Sequence, residues 1–225
     1  MKICLFDIDG TLVQTGGAGK AAVEAALAGE FGVEQGASNV PFSGRTDRAI
    51  VRDLFLLHGI DDTRTTWDQF RTAYLQHLPA ELASRSGSVL PGILALLQTF
   101  APRPDVLSGL LTGNIAAGAK AKLTYYQLNH FFTFGGFGDH HFDRADVARE
   151  ALNAARAEAE DNVPPEDVWV IGDTPWDVRC ARAIGANVVA VCTGSHPPRE
   201  LAAEGPDILL TDLADPAPVI DAIAG

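Results

Sequence analysis

The stretch KICLFDIDGT, residues 2–11, decides the fold. Its apolar part, residues 3–6, is too short for a helix and stops at a glycine-containing turn, as a buried parallel strand does. Further short apolar runs follow at residues 106–111, 168–171, 188–191 and 208–210. These runs predict the strands of one sheet.

Helical patterns separate the apolar runs. They cover residues 93–100, 116–126, 144–158 and 175–184. Pro175 at the start and Gly185 just past the end mark the bounds of the last helix. Because strands that alternate with helices are typical of parallel sheets, the sequence predicts an α/β fold with a doubly wound, Rossmann-like, mainly parallel sheet.

A helical stretch interrupts this alternation directly after the first strand. It contains predicted helices at residues 18–31, 46–58 and 66–82. A cluster of Ser, Gly and Pro at residues 84–92 indicates where the chain returns to the sheet. We therefore predict a Rossmann-like core formed by residues 1–15 and 88–225, and a helical cap domain formed by residues 16–87.

The composition excludes several classes of protein. The chain has 225 residues, 47% of them hydrophobic, which suits one large domain with an insertion. A formal net charge of -12 disfavours binding to nucleic acid or anionic membranes. The three cysteines form no C-x-x-C pair, which favours reduced thiols. Because Asp7 also interrupts the apolar run that a signal peptide or membrane anchor needs, we expect a soluble, cytoplasmic protein.

Polar and acidic residues follow the predicted strands. Asp7 and Asp9 come after the first apolar run, Thr112 after the second, and Asp173 and Asp177 after the third. Ligands of such sheets bind outside the carboxyl ends of the strands, so these side chains are expected to lie together. Carboxylates gathered at one edge repel one another, and a hard divalent cation relieves that repulsion. Mg²⁺ is the expected ion.

Three motifs, in this order, resemble those of the haloacid dehalogenase superfamily. They are DIDGT at residues 7–11, LTGN at residues 111–114 and IGDTPWD at residues 171–177. The match spans nearly the whole chain, and the helical stretch resembles the small cap of phosphoglycolate phosphatase-like members. The resemblance implies a magnesium-dependent phosphatase that acts on a small phosphorylated metabolite, with 2-phosphoglycolate as a candidate by analogy alone.

The resemblance also implies roles for the motif residues. Asp7 attacks phosphorus and becomes an aspartyl-phosphate, while Asp9 protonates the leaving alcohol and later activates water. Dehalogenating relatives lack an acid at the position of Asp9, so its presence favours phosphoester chemistry. Thr112 holds the transferred phosphoryl group. The implied ligands of Mg²⁺ are Asp7, Asp9 and Asp173, and Asp177 supports them as a neighbouring partner.

Further residues are predicted to contact the substrate. They are Thr11, Gly113, Asn114 and Arg45. Thr11 is expected either to cap its turn or to hydrogen-bond near the phosphoryl oxygens. Arg45 lies in a turn before the second cap helix, for which Thr46 or Asp47 is the expected N-cap, and it either reaches the leaving group or stays exposed.

Phosphoryl transfer calls for a cation besides the metal. Many members of the superfamily place a lysine at the start of the helix before the last acidic motif, where this chain has Arg144. Arg144 is the favoured candidate because a guanidinium binds phosphate bidentately. Lys120 and Lys122, on the helix after Thr112, are alternatives.

Other interpretations are weaker. Residues 139–143, DHHFD, offer imidazole and carboxylate ligands, but a polar loop explains them better than a transition-metal site. Residues 16–20, GGAGK, lack the first glycine and the final Ser or Thr of a P-loop. Two other functions stay open: a phosphomutase that uses the same intermediate, and a catalytically silent binding protein on the same fold.

Overall fold

The computed structural model describes residues 1–33, 40–160 and 162–225. The strands in these ranges are β1 (Lys2–Phe6), β2 (Val13–Gln14), β3 (Ser88–Val89), β4 (Val106–Leu111), β5 (Gly135–Gly136), β6 (Val168–Gly172), β7 (Asn187–Val191) and β8 (Ile208–Leu210). The α-helices are α1 (Ala18–Phe31), α2 (Asp47–Leu57), α3 (Arg64–Ser84), α4 (Ile93–Phe100), α5 (Ala116–Tyr125), α6 (Arg144–Ala159), α7 (Pro175–Ala183), α8 (Pro198–Ala203) and α9 (Ala217–Ala224). Residues 34–39, part of the predicted helical stretch, lie outside the described residues.

The central sheet confirms the predicted α/β fold. Its strand order is β5-β4-β1-β6-β7-β8, and each pair of neighbours is parallel. All five predicted strands form, and β5 adds a sixth that the sequence does not predict. Its two glycines carry no hydrophobic signal, yet they fit because a Cβ on Gly135 or Gly136 would crowd Leu110 of β4 or Ala151 of α6.

β1 lies in the middle of the sheet and contributes to two hydrophobic clusters. Cys4 and Phe6 pack with α4, α5 and α9, whereas Ile3 and Leu5 pack with α6, α7 and α8. Successive side chains of a strand point to opposite faces of its sheet, so a strand covered by helices on both sides must be apolar throughout. This requirement explains the unbroken apolar run that precedes Asp7.

The helices α1, α2 and α3 bury a third hydrophobic cluster, which Ile115 at the start of α5 also joins. In α3, the rings of Trp67 and Phe70 stack at 6.0 Å, and those of Phe70 and Tyr74 at 6.1 Å. The chain leaves the sheet and returns to it through β2 and β3, which pair antiparallel at the predicted domain boundary. The division into core and cap domains stays a prediction, with which the packing of α1, α2 and α3 on one another agrees. Across the described ranges, every helix is too short or too polar to qualify as a membrane span.

Candidate active site

The carboxyl ends of three neighbouring strands bring the predicted site residues together. Asp7 follows β1, Thr112 follows β4 and Asp173 follows β6. All three residues are buried. The backbone N–H of Asp7 donates to the carbonyl of Ile171 at 3.0 Å, which fixes the first carboxylate beside β6. The parallel topology therefore gathers three distant segments at one edge of the sheet.

Three carboxylates meet at this edge. One oxygen each from Asp7, Asp173 and Asp177 lies within 4.8 Å of the others. Burial raises the pKa of Asp7 to about 7, although the neighbouring Arg144 opposes that rise. Burial, together with the charges of Asp7 and Asp177, raises the pKa of Asp173 well above its usual range. Carboxylates that are buried and repel one another fit a hard divalent cation.

Asp9, a predicted ligand of Mg²⁺, lies outside this group of three carboxylates, so its place among the ligands stays a prediction. Lys122 Nζ donates to Asp9 Oδ2 at 2.6 Å and to Asn114 Oδ1 at 2.7 Å. Asn114 Nδ2 also donates to Asp9 Oδ2, at 2.9 Å. The side chain of Lys122 is 4% exposed and that of Asp9 is 40% exposed. The buried ammonium group thus holds one carboxylate oxygen of a residue that reaches towards solvent.

Arg144 is buried at the start of α6, among carboxylates. Asp143 caps this helix by accepting from the N–H of Ala145 at 2.9 Å. Arg144 Nη2 donates to Asp7 Oδ1 at 2.9 Å and to Asp177 Oδ1. Burial by itself lowers the pKa of Arg144, but the charges of Asp177 and Asp7 outweigh it and raise the pKa. The predicted cation therefore sits beside the predicted nucleophile.

The two alternative lysines lie on different sides of α5. Lys120 is exposed, whereas Lys122 is buried in the site. The sequence could not separate them because α5 is rich in Ala and Gly, and its pattern does not single out one buried face. Of the two, only Lys122 is placed to act on Asp9 directly.

Asp177 accepts hydrogen bonds both from Arg144 and from the start of its own helix. Its Oδ2 accepts from the N–H of Thr174 at 2.9 Å and from the Thr174 hydroxyl at 2.7 Å. This reciprocal arrangement is a capping box at the start of α7. With Oδ1 bound to Arg144, both carboxylate oxygens of Asp177 have partners within the protein. Asp7 and Asp173 are consequently the better placed members of the acidic group for binding a metal.

Thr11 contacts a carboxylate rather than capping its own turn. Its hydroxyl donates to Asp173 Oδ1 at 2.9 Å. Gly10, just before it, has φ of 91°, and a Cβ at this position would collide with the carboxylate of Asp173. The turn after β1 therefore requires glycine for both its conformation and its close approach to β6.

A cavity of about 320 Å³ lies over the strand ends. The core side of its wall includes Asp7, Asp9, Thr112, Gly113, Asn114, Lys122, Arg144 and Asp173. The helical insertion contributes Lys20, Ser43, Arg45, Asp47 and Tyr74. Lys20, Ser43, Asp47 and Tyr74 were not among the predicted site residues. The sequence marked Asp47 only as a residue at the start of a helix. In the structure, Thr46 is the N-cap of α2, and its hydroxyl accepts from the N–H of Ala49.

Arg45 is half-buried, and its guanidinium is bound within the insertion. Nη2 donates to Asp53 Oδ2 at 2.5 Å, and Nη1 donates to the carbonyl of Pro41 at 3.2 Å. The residue lines the cavity as well. A contact between Arg45 and a substrate therefore stays a prediction, and it would compete with the pair to Asp53.

Comparisons with known proteins place this geometry in a family. Residues 4–191 match the haloacid dehalogenase-like hydrolases. The chain belongs to this family. Among curated proteins, it is similar to Phosphoglycolate phosphatase 1 of Pseudomonas aeruginosa, with 26% identity over 99% of this chain and 81% of that protein. The family match confirms the predicted resemblance, and with this relative it supports the expectation of a phosphoric monoester hydrolase.

Solved structures share the fold over 96% or more of the chain. A hydrolase from Pseudomonas syringae is 22% identical, with a TM-score of 0.72 and 100% of both chains covered. CbbY from Rhodobacter sphaeroides, solved in complex with phosphate, is 21% identical, with a TM-score of 0.72 and 96% of each chain covered. At these identities the likeness establishes the fold.

Proposed function

We propose that this hydrolase is a magnesium-dependent phosphatase that cleaves a small phosphate monoester through an aspartyl-phosphate on Asp7. The observation that carries the proposal is the environment of that carboxylate. Asp7 is buried at the floor of a cavity, 2.9 Å from the guanidinium of Arg144 and grouped with Asp173. The similarity to a phosphoglycolate phosphatase supports the same class of substrate.

The acidic group fits a magnesium ion. Asp7 and Asp173 are buried oxygen donors with raised pKa values, so each favours a cation that lowers the cost of its negative charge. We assign Asp7 and Asp173 as the side chains that would hold it, with Asp177 behind them on Arg144. When bound, Mg²⁺ would neutralise charge where a carboxylate and a phosphoryl group, both anionic, must approach one another.

In the first half of the reaction, a carboxylate oxygen of Asp7 forms a bond to phosphorus while the bond from phosphorus to the ester oxygen breaks. Asp9 gives its proton to that oxygen, which leaves as an alcohol. Arg144 orients the nucleophile through its hydrogen bond to Asp7 Oδ1. Lys122 fixes Asp9 Oδ2, which leaves Oδ1 for the proton transfer.

In the second half, water attacks phosphorus and Asp9 takes up its proton. The bond between phosphorus and Asp7 breaks, and inorganic phosphate leaves with the carboxylate restored. Thr112 supports both halves, because its Oγ1 accepts from Asn114 N–H at 3.3 Å and from Asn114 Nδ2 at 2.7 Å. With its oxygen held in this way, the Thr112 hydroxyl proton is available to a phosphoryl oxygen.

The helical insertion would act as a cap over this chemistry. Residues from α1 to α3 and the turn before α2 line the cavity opposite the strand ends. The limited volume, about 320 Å³, favours a small phosphorylated metabolite. Lys20 and Arg45, both on the insertion side, carry positive charge that favours an anionic group on the substrate.

The test is a phosphate-release assay over metabolite monoesters, including 2-phosphoglycolate, and para-nitrophenyl phosphate, with Mg²⁺ and with chelator. We expect release that requires Mg²⁺ and disappears in Asp7→Asn. Retained activity in that variant would overturn the assignment of the nucleophile. Formation of an isomer from a sugar 1-phosphate without net phosphate release would identify a phosphomutase. No turnover by protein that binds Mg²⁺ would favour a silent binding protein.

A further inference from the structure

The N-terminus of α5 is capped by carboxylates from two distant segments. Ile115, at the N-cap position, has no side chain that can accept a hydrogen bond. Instead, Asp47 Oδ2 accepts from the N–H of Ile115 at 2.8 Å, and Asp139 Oδ2 accepts from the N–H of Ala116 at 2.7 Å. Both carboxylates satisfy backbone donors that the helix itself leaves unpaired. They also lie at the positive end of the helix dipole.

The two carboxylates differ in where they come from. Asp139 follows β5 and belongs to the same sheet-and-helix core as α5. Asp47 is the first residue of α2, in the helical insertion. Its backbone N–H also donates to the carbonyl of Gly113 at 2.7 Å. Asp47 therefore makes two hydrogen bonds across the cavity wall, to the segment that follows Thr112.

Close backbone packing surrounds these bonds. A Cβ on Gly113 would overlap the carbonyl of Arg45 and crowd Cα of Thr46. A Cβ on Gly138 would overlap the carbonyl of Gly113 and crowd the side chain of Thr46. Residues 45–47, which we call the cap turn, thus lie directly on the loop that carries Thr112 and Asn114. The two glycines permit that approach because they have no side chain.

The helix that Asp47 caps also carries Lys122. Lys122 holds Asp9 and Asn114, so α5 joins the capped end to the proposed proton-transfer residue. Asp47 is half-buried and lines the same cavity. Burial raises the pKa of Asp47 to about 6, and the nearby Lys122 opposes that rise. The carboxylate is therefore both a structural acceptor and a member of the site's charge distribution.

We propose that Asp47 is a positioning residue, which sets the cap turn against the Thr112 loop and α5 through its bonds to Ile115 and Gly113. This inference rests on the proposed phosphatase function. Asp47 acts through the backbone groups that it binds, which place the cap turn, including Arg45, against the helix that carries Lys122. A misplacement of about 1 Å in such a site can lower turnover by about 100-fold.

Three variants separate positioning from simple helix capping. Asp47→Ala removes the acceptor, Asp47→Asn keeps a side-chain oxygen that can accept from Ile115, and Asp139→Ala removes the matching cap that lies within the core. We expect Asp47→Ala to lower kcat at least tenfold and to raise KM, with Asp47→Asn within about threefold of the wild type. Asp139→Ala should keep near-normal kcat/KM despite a similar loss of thermal stability.

Amide hydrogen exchange provides a readout that does not depend on activity. In Asp47→Ala the N–H of Ile115 should exchange faster while that of Ala116 stays protected, and in Asp139→Ala the pattern should reverse. Equal kinetic losses in Asp47→Ala and Asp139→Ala would overturn the proposal, because capping alone would then explain the effect. An Asp47→Asn variant as impaired as Asp47→Ala would also overturn it, since the charge and not the hydrogen bond would be required. If the wild type releases no phosphate, the proposed phosphatase function is refuted. The exchange pattern would still test the hydrogen bond from Ile115 to Asp47.

Discussion

Replacing Lys122 with Met removes the buried ammonium group that holds Asp9. Met has a similar length and no charge, so the replacement fills the space but donates to neither Asp9 Oδ2 nor Asn114 Oδ1. Lys120→Met is the matched control. It makes the same chemical change two residues earlier on the same helix, at an exposed position.

The expected loss of stability depends on how deeply Lys122 and Asp9 are buried. Removing one member of a fully buried ion pair costs about 3–5 kcal/mol of stability. The side chain of Asp9 is 40% exposed, so solvent screens this pair, and we expect about 1–2 kcal/mol instead. The effect on catalysis should be larger, because in the proposed reaction Lys122 would position the acid Asp9 and supply positive charge close to the phosphoryl group. Loss of one such preorganised group typically lowers kcat by about 100- to 1,000-fold.

The assay is steady-state phosphate release from para-nitrophenyl phosphate at saturating Mg²⁺, with thermal unfolding of each variant as the control for folding. Lys122→Met should lose most of its kcat while it remains folded, and Lys120→Met should match the wild type. Equal activity of the two variants would refute the reasoning, since it would mean that the bonds from Lys122 to Asp9 and Asn114 do not serve the reaction.

The remaining predictions concern the acidic group and the residues packed against it. Because a bound Mg²⁺ would displace the proton that Asp7 binds with a pKa of about 7, magnesium affinity by calorimetry should rise at least about tenfold per pH unit between about pH 5 and 7, and a flat profile would contradict it. The stability of the metal-free protein should change in the opposite direction with pH. Asp7 has a higher pKa in the folded state than in the unfolded chain, so the free energy of unfolding in denaturant titrations should fall as pH rises from about 4 to 7. Gly10→Ala places a side chain at a positive φ against the carboxylate of Asp173, and we expect a loss of at least about 2 kcal/mol in the free energy of unfolding together with weaker magnesium binding; unchanged values would show that the turn adapts. Arg144→Lys keeps the charge but cannot reproduce the bonds to both Asp7 and Asp177, so kcat should fall at least tenfold, and wild-type kcat would show that charge alone suffices.

The sequence predicted the sheet and most helices because each element carries its own periodic signal. The central strands are buried on both faces, and their apolar runs stand out between helical patterns. The elements that were not predicted lack such a signal. β2 and β3 are two residues each and depend on pairing with one another, and β5 consists of two glycines. α8 and α9 are short, at six and eight residues, and begin beside prolines.

The candidate site was predictable where it depends on topology. Asp7, Thr112 and Asp173 each follow a strand, and neighbouring parallel strands necessarily bring such residues to one edge. The parts that depend on side-chain direction were not predictable. Whether Lys120 or Lys122 enters the site is decided by the rotation of α5 against the core, and whether Arg45 is free is decided by Asp53. The contact of Asp47 with α5 joins segments that no local pattern relates.

The central claim is that Asp7 carries the phosphoryl group during turnover, and rapid quenching with mass spectrometry tests it most directly. Protein mixed with substrate and Mg²⁺ is quenched in acid within one turnover and digested, and the phosphorylated peptide is identified. The account predicts one acid-stable, hydroxylamine-sensitive phosphoryl group on the peptide that contains Asp7, and none in Asp7→Asn. A phosphoryl group on any other residue, or turnover with no phosphoenzyme in a quench fast enough to capture it, would contradict the account.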